Sequence, residues 1–495
     1  MATGFTFVLG FLGAAYVFFT ILLRLTQHPK EPPAIAKTIP FISPLFGFVH
    51  GMQSFLVSLR DRYNLPIYTL RMPGQRVYVV NSLSLIPQVQ KQIKTIAFAP
   101  IEAQAADAVM GVGPAGNAVI GSERMFENDS YLSTFVPSTQ PALSPGPGLD
   151  ALSGAAIRYI SNAMEMVAEG GPTTIELFAW VRHEFFTATA EAIYGPKNPF
   201  RDTKLEQAWY LLARKGLHAR EQLLIPAFEQ YFAENGHLQG SVLVQCRYKH
   251  NTSHGLRGRD LAATEIGQMV ASLANSIPAV FWLVYHIFSD PAVLSECREE
   301  AEQLVQADGD VDLAKVKSAC PVLLSTWQET LRYMHIGISA RVVMEDVILD
   351  NQYLLKKGAT VIIPTPRSGG PTVGIFNHRR FLRTPGTKRA HNPAAFRAFG
   401  GGSVLCPGRH FVTTEAMSFA TLMLLRFNMK PAARGGKWVN PRKSVPMTTS
   451  VPTPKDAVQV RITPRDNKEY HVHFSASKKG FDLVAEDITA GNPAL

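Results

Sequence analysis

An uncharged apolar stretch near the start of the chain constrains its architecture more than any other feature. Residues 5–23 read FTFVLGFLGAAYVFFTILL and contain no Asp, Glu, Lys or Arg. As a helix this stretch would be about 28 Å long, close to the thickness of a bilayer core. No positive charge precedes it, whereas Arg24, Lys30 and Lys37 follow it. This order disfavours a cleaved signal peptide and predicts a retained single-pass anchor with the remaining chain in the cytosol.

A group of prolines separates the apolar stretch from the rest of the chain. Four prolines between residues 29 and 40 cannot continue a helix. We therefore expect a membrane anchor over residues 1–28 and a Pro-rich hinge over residues 29–40. No later linker divides the sequence, so residues 41–495 are predicted to form one large domain.

The composition of the 495 residues excludes several classes of protein. Hydrophobic residues make up 46% and charged residues 18%, which is too apolar for a disordered or fibrous chain. Cys246, Cys297, Cys320 and Cys406 include no C-x-x-C pair, which excludes a disulfide framework and a zinc ribbon. The net charge of +10 suits an anionic surface or an acidic partner. No basic run with interleaved aromatic residues occurs, so we expect no nucleic-acid partner.

Hydrophobic patterning predicts a mainly α-helical protein with a smaller β portion. Helical patterns dominate residues 151–330 and return at 408–428. Strand-like alternation occurs at residues 341–365, with a turn at Lys357-Gly358, and again in the tail at residues 457–474.

The strongest local signal is FGGGSVLCPGRHF, residues 399–411. Cys406 stands directly before a predicted helix, whose unpaired N–H groups and dipole stabilise a thiolate. The glycines allow positive φ angles and close approach of the backbone to a flat ligand. A thiolate presented in this way is what axial haem ligation requires. An ordinary cysteine at a helix start is the alternative explanation.

A second signal is Glu329-Thr-Leu-Arg332, in a helix that is predicted to begin near Pro321. Glu329 and Arg332 are three residues apart and share one helix face. Arg380, in the segment FNHRRFL, could join them as a buried Glu–Arg–Arg cluster, because buried charges need complete pairing. The alternative is an exposed ion pair that contributes little to stability.

The order of these elements resembles the cytochrome P450 family, and the filamentous-fungal members in particular. An N-terminal anchor and Pro-rich hinge precede Glu-x-x-Arg, an aromatic-Arg meander and Phe-x-x-Gly-x-x-x-Cys-x-Gly, from about residue 30 to about residue 463. The resemblance implies a single P450 haem domain that contains haem b with Cys406 as axial ligand to the iron. Phe399, Gly402 and Gly408 would be further residues at the haem.

The resemblance assigns Glu329, Arg332 and Arg380 to a structural triad behind the haem. Family members often carry Arg or His two residues before the cysteine to pair with a haem propionate, but this chain has Val404 there. Arg341 is therefore the candidate propionate partner, and an arginine on the surface of a strand is the alternative.

Two further departures concern the segment before the meander arginine. His378 stands where the family usually has a proline. Residues 364–376, PTPRSGGPTVGIF, are shorter than the corresponding family segment. This shortening either weakens cofactor retention or reflects an error in the gene model.

Residues 261–288 form a long and nearly uncharged segment that is predicted to be the central buried helix of the domain. Pro278 cannot donate its backbone N–H and crowds the carbonyl of Ala274, which interrupts the helix at mid-length. In the family this helix crosses the distal face of the haem and carries an acid–alcohol pair, which is absent here.

The stretch LANSIPAVFW resembles a subgroup with cholesterol 7α-hydroxylase, sterol 12α-hydroxylase and prostacyclin synthase. Asn275, with Ser276 beside it, is the candidate for the missing proton relay, and a structural role at the proline kink is the alternative. The subgroup contains both monooxygenases and an isomerase.

Five residues are predicted to line the substrate site from their family positions, with core packing as the alternative for each. They are Ala274, Ala279, Ile336, Ile338 and Thr448.

The resemblance implies a haem-thiolate monooxygenase in the endoplasmic reticulum membrane. Its partners would be membrane lipid, an NADPH-cytochrome P450 reductase and a bulky lipophilic secondary metabolite. A terpenoid or steroid-like substrate is our first choice, and a polyketide is the alternative. A haem isomerase or dehydratase that needs no reductase, and a degenerate haem-binding or sterol-binding protein, are the competing hypotheses.

Overall fold

The computed structural model describes residues 2–35, 39–215, 217–364, 374–382, 393–432, 436–444, 449–466 and 468–476. The α-helices, in chain order, are α1 Ala2–Thr26, α2 Ile42–Tyr63, α3 Leu85–Lys91, α4 Ala99–Met110, α5 Pro114–Ile120, α6 Tyr131–Leu143, α7 Pro147–Glu169, α8 Leu177–Tyr194, α9 Thr203–Lys215, α10 Leu217–Ala219, α11 Ile225–Ala233, α12 Val242–Ser253, α13 Gly258–Leu273, α14 Ser276–Ser289, α15 Pro291–Gln303, α16 Val316–Ala319, α17 Pro321–Met334 and α18 Arg409–Arg426.

The strands are β1 Ile67–Met72, β2 Gln75–Val80, β3 Ile96–Ala97, β4 Thr173–Glu176, β5 Asp310–Asp312, β6 Ile338–Val343, β7 Val347–Leu349, β8 Tyr353–Leu355, β9 Thr360–Pro364, β10 Phe427–Pro431, β11 Lys443–Ser444, β12 Thr453–Pro454, β13 Gln459–Pro464 and β14 His471–His473. Short 3-10 turns and one π-helical turn, Arg220–Leu224, connect several of these elements.

The chain contacts divide into two compact units. The first unit comprises Met1–Glu102, Ile336–Val373 and His391–Leu405. The second unit comprises Ala103–His335, Gly374–Ala390 and Cys406–Leu495.

The first unit is built on a five-stranded sheet in the order β1-β2-β9-β6-β3. The pair β2–β9 is parallel and the other pairs are antiparallel. Alternate residues of β9 belong to two different hydrophobic clusters. Val361 and Ile363 pack on one face of the sheet, and Ile362 packs on the other. Both faces are therefore buried, with α3 over one face and α2 over the other.

Tight turns in this unit use residues that tolerate positive φ angles. Gly358, in the turn predicted at Lys357-Gly358, has a φ of 78°. A further turn that the sequence reading missed joins β7 to β8. Its central residues Asp350 and Asn351 have φ angles of 54° and 52°, which Asp and Asn adopt more readily than most residues.

The second unit is mainly helical, and two of its helices are buried on all sides. Nearly every side chain of α18 is buried, and in α14 the exceptions are His286 and Ser289. A helix that is apolar around its whole circumference belongs in a core. Around these helices pack α7, α8, α15 and α17. Antiparallel strands β10, β13 and β4 form a small sheet at the end of α18.

The predicted central helix is two helices in the structure. The sequence pattern indicated continuity over residues 261–288, whereas α13 ends at Leu273 and α14 begins at Ser276. Pro278 explains the break, because its ring removes the hydrogen bond to the carbonyl of Ala274, four residues earlier.

By length and composition alone, two helical stretches among the described residues could cross a membrane, Ile42–Tyr63 and Gly258–Ser289. The second is two-thirds buried inside the second unit. That burial favours a core position for α13 and α14. On α1 the described side chains include exposed Phe11, Phe18 and Leu25, as expected of an anchor helix.

Candidate functional site

Cys406 lies immediately before the N-terminus of α18. Its carbonyl accepts hydrogen bonds from the backbone N–H of Arg409 at 3.4 Å and from the Arg409 Nη1 at 3.2 Å. Burial raises the pKa of the Cys406 thiol, while the backbone N–H groups of Gly408 and Arg409 and the Arg409 charge act in the opposite direction. Cys406 is partly buried, and its thiolate is stabilised from the helix side against the larger, opposing effect of burial. A soft metal ion bound to the sulfur would complete that stabilisation.

The half-buried side chains of Arg332 and Arg380 meet at the buried carboxylate of Glu329. Glu329 is 0% exposed, and its carboxylate accepts from Arg332 Nε at 2.6 Å, Arg332 Nη2 at 2.8 Å and Arg380 Nε at 3.0 Å. The backbone N–H of Asn377 donates to the same carboxylate at 2.9 Å, and both arginines donate to the carbonyl of Ile375. The cluster is closed: each charge has a partner within the chain.

The segment around Arg380 makes further hydrogen bonds to α15 and α17. Glu296 binds His378 Nε2 at 2.9 Å and Arg379 Nε at 2.7 Å. The backbone N–H of Phe381 donates to Ser325 Oγ at 3.0 Å. His378, the departure from the family proline, thus contributes a contact to α15 that a proline could not make.

Helix α17, which carries Glu329, is joined to the helix that follows Cys406. The indole N–H of Trp327 donates to Thr413 Oγ1 at 3.2 Å. Lys317, just ahead of α17, donates to the carbonyl of His410 at 3.3 Å. These bonds tie the closed cluster to the start of α18.

The glycine-rich turn belongs to the first unit and packs on α3. Gly400 and Gly402 have φ angles of 83° and 64°, which favour glycine. A Cβ on Gly401 would stand 2.5 Å from Gln90 Nε2, and one on Gly402 would stand 2.9 Å from Gln90 Cβ. Close packing against the Cβ of Gln90, together with its positive φ angle, therefore favours glycine at position 402, a contact that the sequence did not predict. Phe399 beside them is half-buried.

Arg341 and Arg397, both in the first unit, form a pair of buried cations. They are 2% and 8% exposed. Arg341 Nη1 donates to Ser339 Oγ at 2.7 Å, and Arg397 Nη2 donates to the carbonyl of Pro364. Burial lowers the pKa of Arg341, and burial with the nearby Arg341 charge lowers the pKa of Arg397 to about 10.

This arginine pair is open. Among the described residues no partner is recorded for Arg341 Nη2, Arg397 Nε or Arg397 Nη1. Buried guanidinium groups without an anion are costly, so three unmatched donors fit the carboxylates of a bound group such as a haem propionate. The sequence reading identified Arg341 and missed Arg397, whose position two residues before Phe399 was the available signal.

The candidate relay residues both take part in local hydrogen bonds at the break between α13 and α14. Asn275 Oδ1 accepts from the backbone N–H of Ser450 at 2.6 Å. The hydroxyl of Ser276 donates to the carbonyl of Ser272 at 2.6 Å. These bonds account for a structural role of each side chain.

The predicted substrate residues are placed as follows. Ala279 and Ile336 are buried, and Ala274 and Ile338 are half-buried. Thr448 lies outside the described residues.

The family model for cytochrome P450 matches residues 233–460. The chain is 31% identical over 485 residues to cytochrome P450 monooxygenase nodJ of Hypoxylon pulicicidum, covering 90% of this chain and 92% of the relative. It is 23% identical over 467 residues to 7-alpha-hydroxycholest-4-en-3-one 12-alpha-hydroxylase of Oryctolagus cuniculus, covering 83% and 88%.

A crystal structure of a cytochrome P450DA heme domain matches the fold with a TM-score of 0.69 at 16% identity, covering 88% of this chain and 98% of that one. The predicted fold class and the subgroup resemblance are both confirmed. The chain belongs to the cytochrome P450 family, as a monooxygenase whose family and fold imply a cysteine-ligated haem.

Proposed function

We propose that this monooxygenase oxidises a bulky lipophilic secondary metabolite, with O2 and electrons derived from NADPH. A terpenoid or steroid-like scaffold is the first choice and a polyketide the second. The observation that carries the substrate class is the LANSIPAVFW stretch at the start of α14, together with a relative named as a sterol 12-alpha-hydroxylase. The oxidation of a C–H bond is the chemistry that the bound haem supplies.

Cys406 is the proposed axial ligand of haem b. The N–H groups of Gly408 and Arg409 at the start of α18 favour its thiolate and oppose the effect of burial, which raises the pKa of the thiol. Phe399, Gly402 and Gly408 are proposed as further cofactor-binding residues. Gly402 would act through the tight turn that its positive φ angle allows.

Arg341 is the proposed partner of a haem propionate, and Arg397 joins it. Their unmatched buried donors support this role. Either arginine provides the positive charge that Val404 cannot.

Glu329, Arg332 and Arg380 are proposed as the structural triad. They hold the 375–381 segment against α17, and the bonds from Trp327 and Lys317 extend that support to the start of α18. Since Glu329, Arg332 and Arg380 pair with one another, we assign them a structural role.

Asn275 and Ser276 are proposed to hold water and pass protons at the break between α13 and α14. Ala274, Ala279, Ile336, Ile338 and Thr448 are the proposed substrate residues. An apolar lining with few polar groups suits a lipophilic ligand.

The proposed location is the endoplasmic reticulum membrane. Residues 1–28 would anchor the chain, residues 29–40 would form the hinge, and residues 41–495 would be the catalytic domain in the cytosol. The redox partner that the family requires would then be an NADPH-cytochrome P450 reductase in the same membrane.

The ligand assignment is tested by carbon monoxide difference spectra of the reduced full-length protein in yeast microsomes. We expect a thiolate-type Soret band that Cys406→Ala abolishes. Cys246→Ala, Cys297→Ala and Cys320→Ala are matched controls and should retain the band. A thiolate band in Cys406→Ala would overturn the assignment.

The electron source is tested by turnover of sterol and terpenoid candidates with and without NADPH and reductase. Product that requires both supports the proposal. Product formed without either would instead indicate an isomerase or dehydratase.

A further inference from the structure

Two side chains of the LANSIPAVFW stretch hold one segment of the chain. Asn275 Oδ1 accepts from the backbone N–H of Ser450 at 2.6 Å, and the indole N–H of Trp282 donates to the carbonyl of Pro452 at 2.7 Å. Asn275 is the N-cap residue of α14, and Trp282 follows it after about two helical turns, so both lie on the same side of the helix. Residues 450–452 therefore run along that side of α14.

This segment belongs to the connection between two paired strands. β11 and β12 are antiparallel, with Lys443 opposite Pro454, and residues 445–452, the β11–β12 turn, connect them. Residues 449–452 of this turn are described. The Lys443 ammonium lies 5.4 Å from the centroid of the Trp282 ring. The start of β11 thus lies at Trp282, and Ser450 lies at the break between α13 and α14.

The hydrogen bond from Trp282 lies in the core of the second unit. Trp282 is 0% exposed, and Val451 and Pro452 are buried too. If the turn moved, the buried indole N–H would lose its acceptor, which is unfavourable in a core. The bond to Asn275 adds a second point of attachment, so the two bonds together fix one position of the turn.

The residue before Ser450 carries a polar atom that the described part of the chain leaves unsatisfied. Thr449 Oγ1 is buried and has no recorded hydrogen-bond partner among the described residues. Buried hydroxyl groups nearly always have a partner, and a bound substrate or an ordered water beside the turn would supply one. Two of the proposed substrate residues, Ala274 and Ala279, lie on either side of Asn275 in the sequence. The fixed turn therefore reaches the place where substrate is proposed to bind.

We propose that Asn275 and Trp282 are positioning residues that hold the β11–β12 turn against the start of α14 and thereby set the size of ligand that the substrate site accepts. This inference rests on the proposed function, because it concerns the specificity of the same site. It gives Trp282 a role that the proposed function does not. Small displacements of the groups that line a site change binding strongly, so hydrogen bonds behind the lining contribute to selectivity.

The test uses azole difference spectra of the haem-loaded full-length protein in detergent. Imidazole, a small ligand, and clotrimazole, which carries three additional aromatic rings, are titrated separately. Trp282→Phe keeps an aromatic ring but removes the N–H that binds Pro452. It should weaken clotrimazole binding by about fivefold or more and leave imidazole binding within about twofold of the unchanged protein, because only the larger ligand would reach the turn.

Asn275→Ala removes the other bond and should also weaken clotrimazole binding more than imidazole binding. The variant with both substitutions should bind clotrimazole about as weakly as the weaker single variant, because either change releases the same turn. A product of the two single effects would show that the residues act independently and would overturn their joint role.

Tyr285→Phe is the matched control. The Tyr285 hydroxyl, on the same helix, donates to the carbonyl of Val439 at 3.0 Å, and Val439 precedes β11 and lies outside the turn. Trp282→Phe and Tyr285→Phe should both lower the melting temperature, but only Trp282→Phe should weaken clotrimazole binding. This pattern separates a positioning role from a contribution to stability.

Three results would overturn the proposal: unchanged clotrimazole affinity in Trp282→Phe, equal weakening in Tyr285→Phe, or equal weakening of imidazole and clotrimazole. The carbon monoxide spectrum should be the same in all variants. Absence of the thiolate band from the unchanged protein would overturn the proposed function, and this inference with it, so the two failures are distinguishable.

Discussion

Two clusters of arginine differ in how their charge is compensated. In the second unit, Arg332 and Arg380 share the carboxylate of Glu329, which also accepts a backbone N–H. In the first unit, Arg341 and Arg397 are buried together, and three of their nitrogens have no partner among the described residues. The Glu329 cluster is complete within the chain. The Arg341–Arg397 pair has the chemistry of a site that a bound anion would complete.

The contrast separates arginines that stabilise the fold from arginines that are available to bind a ligand. Burying an ion without a partner costs several kcal/mol, so a closed cluster acquires its partner when the chain folds. An open pair acquires its partner only when a ligand binds. Substitutions in the two clusters should therefore differ in their effect on the free energy of unfolding.

The largest effect is expected for Glu329→Gln. This change keeps the shape of the fully buried side chain but leaves two half-buried arginines without a counter-charge, which should lower the free energy of unfolding by about 3–5 kcal/mol. Urea denaturation followed by tryptophan fluorescence measures the loss. Glu296→Gln is the control, because Glu296 also accepts from two side chains, those of His378 and Arg379, but is partly exposed, and about 0–1 kcal/mol is expected. Equal losses would remove the distinction.

Glu415 is an ionisable group that is buried in a third way. It is neither paired with an opposite charge nor left as an unpaired charge, but is buried as a neutral acid. It is buried on α18 and accepts a hydrogen bond from Thr189 Oγ1 at 2.8 Å. Burial raises the pKa of Glu415 to about 8. Between about pH 4.5 and pH 8 the unfolded chain loses this proton and the folded chain keeps it. Stability should therefore fall as pH rises, by up to about 1.4 kcal/mol per pH unit.

Glu415→Gln removes this titration. The free energy of unfolding of the variant should decline less between pH 5 and pH 8 than that of the unchanged protein, whatever constant offset the amide introduces. Urea denaturation at several pH values measures the two slopes. Parallel slopes would show that Glu415 is ionised in the folded protein.

A smaller effect is expected for Asn275→Ala. The change leaves the backbone N–H of Ser450 without its acceptor and should cost about 1–2 kcal/mol. Ser276→Ala, which removes a donor to a helix carbonyl, should cost less than 1 kcal/mol. Urea denaturation gives both values. If Asn275→Ala left stability unchanged but uncoupled NADPH consumption from product formation, the relay role would outweigh the structural one.

The smallest change in stability is expected at the open pair. Arg397→Met should change the free energy of unfolding of the haem-free protein by less than about 1 kcal/mol, because an unpaired buried charge is removed. The same variant should release haem to an acceptor protein at least tenfold faster. Arg379→Met, at an exposed arginine, is the control. A large loss of stability without faster haem release would show that the pair is structural.

Local patterns predicted part of this structure. The three-residue spacing of Glu329 and Arg332 placed them on one helix face, and the prolines before and inside the apolar segments marked where helices end. Arg380 was identified because the meander segment resembles a family motif. Its contact with Glu329 spans 51 residues, a separation that periodicity cannot address.

Tertiary contacts decided the rest. The position of Arg397 two residues before Phe399 was the only local signal for it, because its burial depends on the sheet of the first unit and nothing local predicts that Arg341 lies nearby. Gln90 was missed for the same reason, since only the fold brings α3 against the glycine-rich turn. The break at Ala274 and Asn275 was expected to be a kink within one helix, and its extent depends on the hydrogen bond to Ser450.

The interior position of Asn251 has a consequence for glycosylation of this chain. Asn251 begins the glycosylation sequon Asn-Thr-Ser, yet its side chain is 0% exposed and bonds to Tyr131 and Thr264. An oligosaccharide attached there during translocation would prevent α12 from packing on α6 and α13. Glycosylation of Asn251 is thus incompatible with the folded domain.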